Sequence, residues 1–147
     1  MSSPKKSKEY KNFQYGKLDV FENTLVSNRS EQIIAETSHN TAHYLFGKID
    51  LSQMRDGDTV MLRVFVKIRA NSGYKSHAWN VYKNVQDPQL VTILPQFSVY
   101  GVKVTLKQTA GANKSYDYIF GREYNHKPKE IEFVRNTNGN ITKVIER

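Results

Sequence analysis

Histidines, close carboxylates, and cations interleaved with aromatics are the residues of this 147-residue chain whose types suit chemistry. His39 and His43 stand four apart in Ser38-His39-Asn40-Thr41-Ala42-His43, a spacing at which a helix would offer two imidazoles to one metal ion. The neighbouring Thr and Asn residues read instead as strand or turn. On a strand, residues four apart are separated by about 13 Å, at about 3.3 Å per residue. Turn histidines are the expectation, and no metal site is assigned. His77 is expected beside Trp79 or facing solvent, and His126 in the basic loop Asn125-His126-Lys127-Pro128. Asp56 and Asp58 flank Gly57 without the further ligands and closing Glu of a calcium loop, so they read as a turn. Glu130 and Glu132 alternate with Ile131 and Phe133 and so lie on the opposite face, whereas a glycosidase needs two carboxyls that meet across a cleft, which spacing alone does not establish. Neither a nucleophile elbow, a P-loop nor a dinucleotide fingerprint is present, and Thr109–Lys114 is too short to cradle a phosphate. No catalytic residue and no cofactor is expected.

The cations and aromatics carry more. Arg63, Lys67 and Arg69 are expected on one strand face with Phe65, followed in the next strand by Lys75, Trp79 and Lys83. Such interleaving is how an open β surface stacks bases and neutralises phosphates. The same pattern also describes a solvated outer face whose Lys and Arg suppress edge pairing. Lys5, Lys6, Lys8 and Lys11 form a second cationic set at the N-terminus, able to meet a partner protein or nucleic acid. Tyr74, Trp79 and Tyr82 would make a platform if the chain bound carbohydrate, since aromatic faces are large and stiff.

Strands must position these groups. In Asp58–Arg69, Val60, Leu62, Val64, Val66 and Ile68 alternate with Met61, Arg63, Phe65, Lys67 and Arg69, which places the first set inward on a sheet. A hairpin at Asn71-Ser72-Gly73 leads into Tyr74–Lys83. Leu90–Leu94 is a further strand that Pro95 either ends or confines to an edge. Val99–Gln108 points Val102, Val104 and Leu106 to one face, with a bulge or bend at Gly101. Tyr116, Tyr118 and Phe120 share a face of the strand that begins at Ser115. Leu18–Val26, Gln32–Thr37 and Ala42–Asp50 are weaker strands. Ser30–Gln32 could instead open one short helical turn, and Leu51–Met54 reads as another. Asn138-Gly139 predicts a type I′ hairpin joining Glu130–Arg135 to Ile141–Ile145, with Phe133 opposite Val144 and Val134 opposite Lys143. A lone hairpin is marginally stable, so Ile131, Phe133, Val144 and Ile145 are candidate subunit contacts.

The fold class that follows is all-β: an antiparallel, jelly-roll-like β-sandwich over residues 12–124, with a basic arm at 1–11 and a hairpin at 125–147. Composition agrees. No cysteine is present, which excludes thiolate metal sites, thiol nucleophiles and disulfides. No apolar run is long enough to span a membrane as a helix, and the N-terminus lacks a signal-peptide core. The net charge of +8 is uneven: +3 over residues 1–11, −2 over 12–54, +5 over 55–107 and +2 over 108–147. Charge concentrated in a tail and a central sheet suits contact with an anionic surface.

Two stretches carry a resemblance. Thr41–Met54 with Asp56–Val64, and Gly101–Gly111 with Lys114-Ser115-Tyr116, are similar to small β-rich proteins encoded among the structural genes of bacterial and archaeal viruses. The likeness covers roughly residues 31–120. It implies a virion building block such as a capsid, decoration or fibre-associated β-sandwich, found in the virion, with no catalytic residues to carry over. Its expected partners are copies of itself, other virion proteins, and nucleic acid through the basic arm. The alternatives are a single-stranded nucleic-acid-binding module and a carbohydrate-binding β-sandwich, which would be soluble and intracellular.

Overall fold

The computed structural model describes residues 16–38, 41–125 and 131–146. Lys5, Lys6, Lys8, Lys11, His39 and His126 lie outside these residues, as do the side chains of Ile131, Phe133, Val144 and Ile145. The described residues form ten strands: β1 (Gly16–Val26), β2 (Gln32–Glu36), β3 (His43–Asp50), β4 (Thr59–Lys67), β5 (Lys75–Lys83), β6 (Leu90–Ser98), β7 (Gly101–Ala110), β8 (Ser115–Asn125), β9 (Ile131–Arg135) and β10 (Ile141–Glu146). Among the described residues no helix is long and apolar enough to cross a membrane.

Eight strands build two four-stranded antiparallel sheets, ordered β1-β8-β3-β6 and β2-β7-β4-β5. Every strand from β1 to β4 pairs with its mirror in the sequence: β1 with β8, β2 with β7, β3 with β6, β4 with β5. That is one folded ribbon wound into two sheets that pack as a β-sandwich. Only β4 and β5 are consecutive within a sheet, so every other connection crosses from one sheet to the other.

Alternation explains which side chains fill the space between the sheets. Val60, Leu62 and Val64 from β4 meet Val102, Val104 and Leu106 from β7, against Leu45 and Ile49 of β3 and Tyr116 and Phe120 of β8. Tyr116 and Phe120 are fully buried. Removing one such side chain from water contributes roughly 2–3 kcal/mol. Phe21 of β1 stacks on Phe120 with ring centroids 6.0 Å apart.

Crossing connections leave backbone groups without ladder partners, and buried polar side chains satisfy them at both ends of the sandwich. At one end, Thr37 Oγ1 accepts from Val102 N–H at 2.9 Å and lies 2.7 Å from His43 Nε2. His43 Nδ1–H donates to the Thr41 carbonyl at 2.8 Å, which leaves Nε2 as the acceptor of the Thr37 hydroxyl proton. Ser98 Oγ accepts from the N–H groups of Tyr100 and Gly101 and donates to the Lys67 carbonyl. At the other end, Asp58 accepts from Arg55 N–H at 2.8 Å and pairs with Lys114 at 3.3 Å. Gln108 Oε1 accepts from both Ser27 Oγ and Tyr116 Oη, so the β1, β7 and β8 ends are tied together.

Several sequence expectations are corrected. Ile68 is not core: β4 stops at Lys67, opposite Gly101, where β7 begins after crossing from the other sheet, and Ile68 is 69% exposed. The alternation breaks at a bend over residues 99–100, after which β7 begins at Gly101. A Cβ there would meet Tyr74 Oη at 2.6 Å and the Thr37 carbonyl at 2.8 Å. Ser30–Gln32 forms no helical turn, because Gln32 already pairs with Leu106. Leu51–Met54 does turn, closed by Met54 N–H to the Leu51 carbonyl at 3.1 Å. The strand at Leu90 runs through Pro95 to Ser98, and β6 is an edge strand, the one position that tolerates the missing donor.

Leu18–Tyr124 forms one compact unit, and the β9–β10 hairpin belongs to another. Within the hairpin, Phe133 pairs with Val144 and Val134 with Lys143, as the sequence suggests. The turn itself is different. In the loop, positive φ is confined to Gly139, at 82°, and Gly139 N–H donates to the Asn136 carbonyl. This is a three-residue loop with glycine at its left-handed position, not a two-residue type I′ turn. The longer loop sets Arg135 opposite Ile141, and a bulge at Thr142 restores the register.

Candidate functional site

The side chains that the core does not use line the outer faces of the two sheets. On β2-β7-β4-β5 the outer face carries Met61, Arg63, Phe65 and Lys67 of β4, alternating with the buried Val60, Leu62 and Val64. Beside them the ladder places Lys103, Thr105 and Lys107 of β7 and Trp79 and Val81 of β5. Arg63 sits between Trp79 on one neighbour and Thr105 on the other. Its guanidinium pairs with Glu31 at 3.1 Å and covers the Phe65 ring at 4.7 Å. Lys103 stands between two rings, 4.8 Å from the Phe65 centroid and 4.7 Å from that of Tyr74. Lys67 lies 5.6 Å from the Tyr74 ring. Cations and rings thus alternate across the sheet, an arrangement attractive by the ring quadrupole. The Tyr74 hydroxyl donates to the Thr37 carbonyl at 3.2 Å. Burial, with the Glu36 carboxylate nearby, pushes its pKa up to about 12, so it stays protonated.

Of the four core residues of the predicted basic face, three are here and one is not. Arg63 and Lys67 share the face, and Trp79 joins it from the edge strand, 62% exposed. Arg69 lies beyond the end of β4 in the turn before β5, where its N–H donates to Ser72 Oγ. The reason is the one that exposes Ile68: beyond Lys67 no strand remains to pair with. The carbohydrate platform also does not form. Tyr82 sits opposite Val60 and packs against the core, Tyr74 is roofed by lysines, and Trp79 points outward alone. Sequence reading missed Lys103, Lys107 and Glu31 as members of this face. The β7 alternation placed both lysines outward, but only the ladder puts β7 beside β4.

The outer face of β1-β8-β3-β6 was not anticipated. It presents Leu18 and Val20 of β1, Ile119 of β8, Phe46 of β3 and Pro95 of β6 around an open groove of about 250 Å³. Gly121 makes the groove possible. A Cβ there would come within 2.9 Å of the Phe46 ring and 3.2 Å of a Leu18 methyl, so glycine lets Phe46 lie across β8. Tyr44 and Phe97, paired across β3 and β6, extend the apolar surface with ring centroids 5.5 Å apart. Beyond the groove, Glu22, Thr24 and Asp117 gather, with the Thr24 hydroxyl donating to Asp117.

The two faces differ in charge. Counting alternation outward, β1-β8-β3-β6 carries one Lys (Lys48) against four acids (Glu22, Asp50, Asp117, Glu123), a net of −3. The opposite sheet carries five cations (Arg63, Lys67, Lys83, Lys103, Lys107) against Glu31 and Glu36, a net of +3.

One buried pair has the form of a nucleophile and its base. Thr37 Oγ1 is hydrogen-bonded to His43 Nε2, and burial, reinforced by Arg122, lowers the His43 pKa although the Thr41 carbonyl acts the other way. Both side chains are almost fully enclosed, and the Thr37 oxygen already accepts from Val102 N–H. That geometry holds a corner of the sandwich and leaves no place for a substrate. Among the described residues no three His, Asp or Glu side chains converge on a metal position.

No protein-family model matches the chain, and no curated protein matches it. Solved structures do. A Bacillus endospore appendage protein, from a family of disulfide-linked pili, superposes with a TM-score of 0.53 at 14% identity, over 75% of this chain and 88% of that one. The infectious bursal disease virus VP2 subviral particle matches with a TM-score of 0.45 at 7% identity, over 76% of this chain and 33% of that one. A structure of that virus's whole particle matches with a TM-score of 0.39 at 8% identity, covering 31% of its chain. The first of these likenesses establishes the fold.

Proposed function

We propose that the chain is a structural subunit, a virion shell or decoration protein, that assembles with copies of itself through the surfaces of its β-sandwich. The observation that carries this reading is the exposure of large apolar side chains on the outer faces of both sheets: Leu18, Val20, Tyr44, Phe97 and Ile119 on one, Trp79 and Val81 on the other. Apolar patches of this kind on a folded domain mark interaction sites. The resemblance of residues 31–120 to virion proteins supports the same reading, and the fold is one that shell proteins use. No catalytic function is proposed. The Bacillus appendages are described as disulfide-linked pili. This chain has no cysteine, so its assembly would rest on noncovalent faces and on the arm at residues 1–11.

Light scattering after size exclusion, on the 147-residue chain, tests the reading. An oligomer or larger particle is expected, and removing residues 1–11 weakens it. A strict monomer at high concentration overturns it. The second reading, single-stranded nucleic-acid binding, is favoured by the net charge of the Trp79 face. Against it, the Phe65 and Tyr74 rings are already covered by Arg63, Lys67 and Lys103, which leaves Trp79 to stack a base. Binding to an oligonucleotide that falls steeply with salt and with Trp79→Ala would support it.

A further inference from the structure

We infer that the two outer faces are each other's partner: the cationic Trp79 face of one copy docks on the anionic groove face of the next. The inference rests on the assembly reading and names its interface. Net +3 meets net −3 only if unlike faces meet. Either face laid on a copy of itself would bring like charges together, which suppresses that pairing. Each face also sets apolar side chains beside its charged ones, Trp79 and Val81 of edge strand β5 next to Met61 on one, Leu18, Val20, Phe46 and Ile119 on the other. Stable protein interfaces likewise combine apolar anchors with polar and charged surroundings.

The groove suits a protein side chain better than a small molecule. Its volume of about 250 Å³ lies below the roughly 300–1,000 Å³ of small-molecule sites, and it is open along its length. Trp79 is the complementary knob. It stands on edge strand β5, is 62% exposed, and lies opposite Arg63 of β4 in the ladder. Buried tryptophans flanked by arginine dominate the energetics of many interfaces. Because the contact joins two different surfaces, each copy keeps one face unused after the first contact. Addition then continues until a ring closes or a fibre grows.

Charge exchange tests this on the full chain. Lys103→Glu with Lys107→Glu turns the cationic face to a net of −1, and Glu22→Lys with Asp117→Lys turns the anionic face to a net of +1. Each double variant alone is expected to stay monomeric while melting cooperatively. An equimolar mixture is expected to assemble, because every face then meets one of opposite sign. Trp79→Ala, at an exposed position that leaves the fold intact, raises the assembly concentration about tenfold or more. It decides the matter if a charge variant fails to fold. Double variants that assemble alone as the parent does, or Trp79→Ala with unchanged assembly, overturn the inference and leave the assembly reading standing. A parent chain that is monomeric at high concentration overturns both.

Discussion

His43 shows how a residue that sequence context treats as a turn histidine becomes a structural element of the corner. Its imidazole is neutral because burial, and secondarily Arg122, lower its pKa below 6.5, with the Thr41 carbonyl opposing. The unfolded chain therefore takes up this proton first, and stability is lost as pH falls below 6.5 toward the folded value. Thermal melts between pH 7.5 and pH 4.5 are expected to show a falling Tm, and His43→Gln should flatten that part of the profile. Asp58 contributes lower on the scale. Burial would raise its pKa, but hydrogen bonds from Arg55 N–H and Lys114, and the Lys114 charge, lower it below 3.8. The stability it contributes is complete above 3.8 and is lost as pH falls through the folded value. Asp58→Ala leaves Lys114 and the Arg55 N–H without their partner and is expected to cost about 3 kcal/mol in urea unfolding. Gly47→Ala should cost roughly 1–3 kcal/mol in the same assay, because its Cβ would stand 2.5 Å from the Phe120 ring and from the Ile119 carbonyl.

Among the elements, strands were legible wherever one face is apolar and the other polar. β4 and β7 show this: Val60, Leu62, Val64 and Val102, Val104, Leu106 are all buried. β1 and β8 were less legible because both of their faces are apolar. Phe21 and Phe120 pack inward while Val20 and Ile119, one position away, line the groove. Period two separates two faces and does not say which one meets the core. The hairpin teaches a related point. The cross-strand pairs Phe133–Val144 and Val134–Lys143 followed from the sequence although the turn type did not, because the longer loop and the Thr142 bulge offset each other. Gly139 holds a φ of 82°, so Gly139→Ala is expected to weaken the hairpin by about 1 kcal/mol. Amide exchange should quicken across residues 131–146 and stay unchanged in β4 and β7.

At the scale of the molecule, the charge of +8 describes no surface. Winding one ribbon into two sheets sorts the strands so that outward cations collect on β2-β7-β4-β5 and outward acids on β1-β8-β3-β6. A chain that assembles by matching these faces must weaken with ionic strength, since charges are screened over about 10 Å at 0.1 M salt. Raising salt from 50 to 500 mM is therefore expected to shift light-scattering profiles toward monomer. Association that strengthens over that range would point to apolar contact as the sole driver.

What the sequence determined by itself is local: alternation that makes strands, turns at Asp56–Asp58 and Asn136–Asn140, and a cysteine count that forbids thiol chemistry and disulfides. The tertiary structure alone decided which strands are neighbours, and so which side chains share a surface. Lys103 meets Phe65 and Tyr74, and Leu18 lines one groove with Phe46, across sequence separations that no local period encodes. Strand pairing is set by long-range burial and ladder hydrogen bonds. For that reason His43 and Asp58, among the residues that first suggested chemistry, became corner supports, and the faces proposed to meet a partner emerged only once the ribbon was wound.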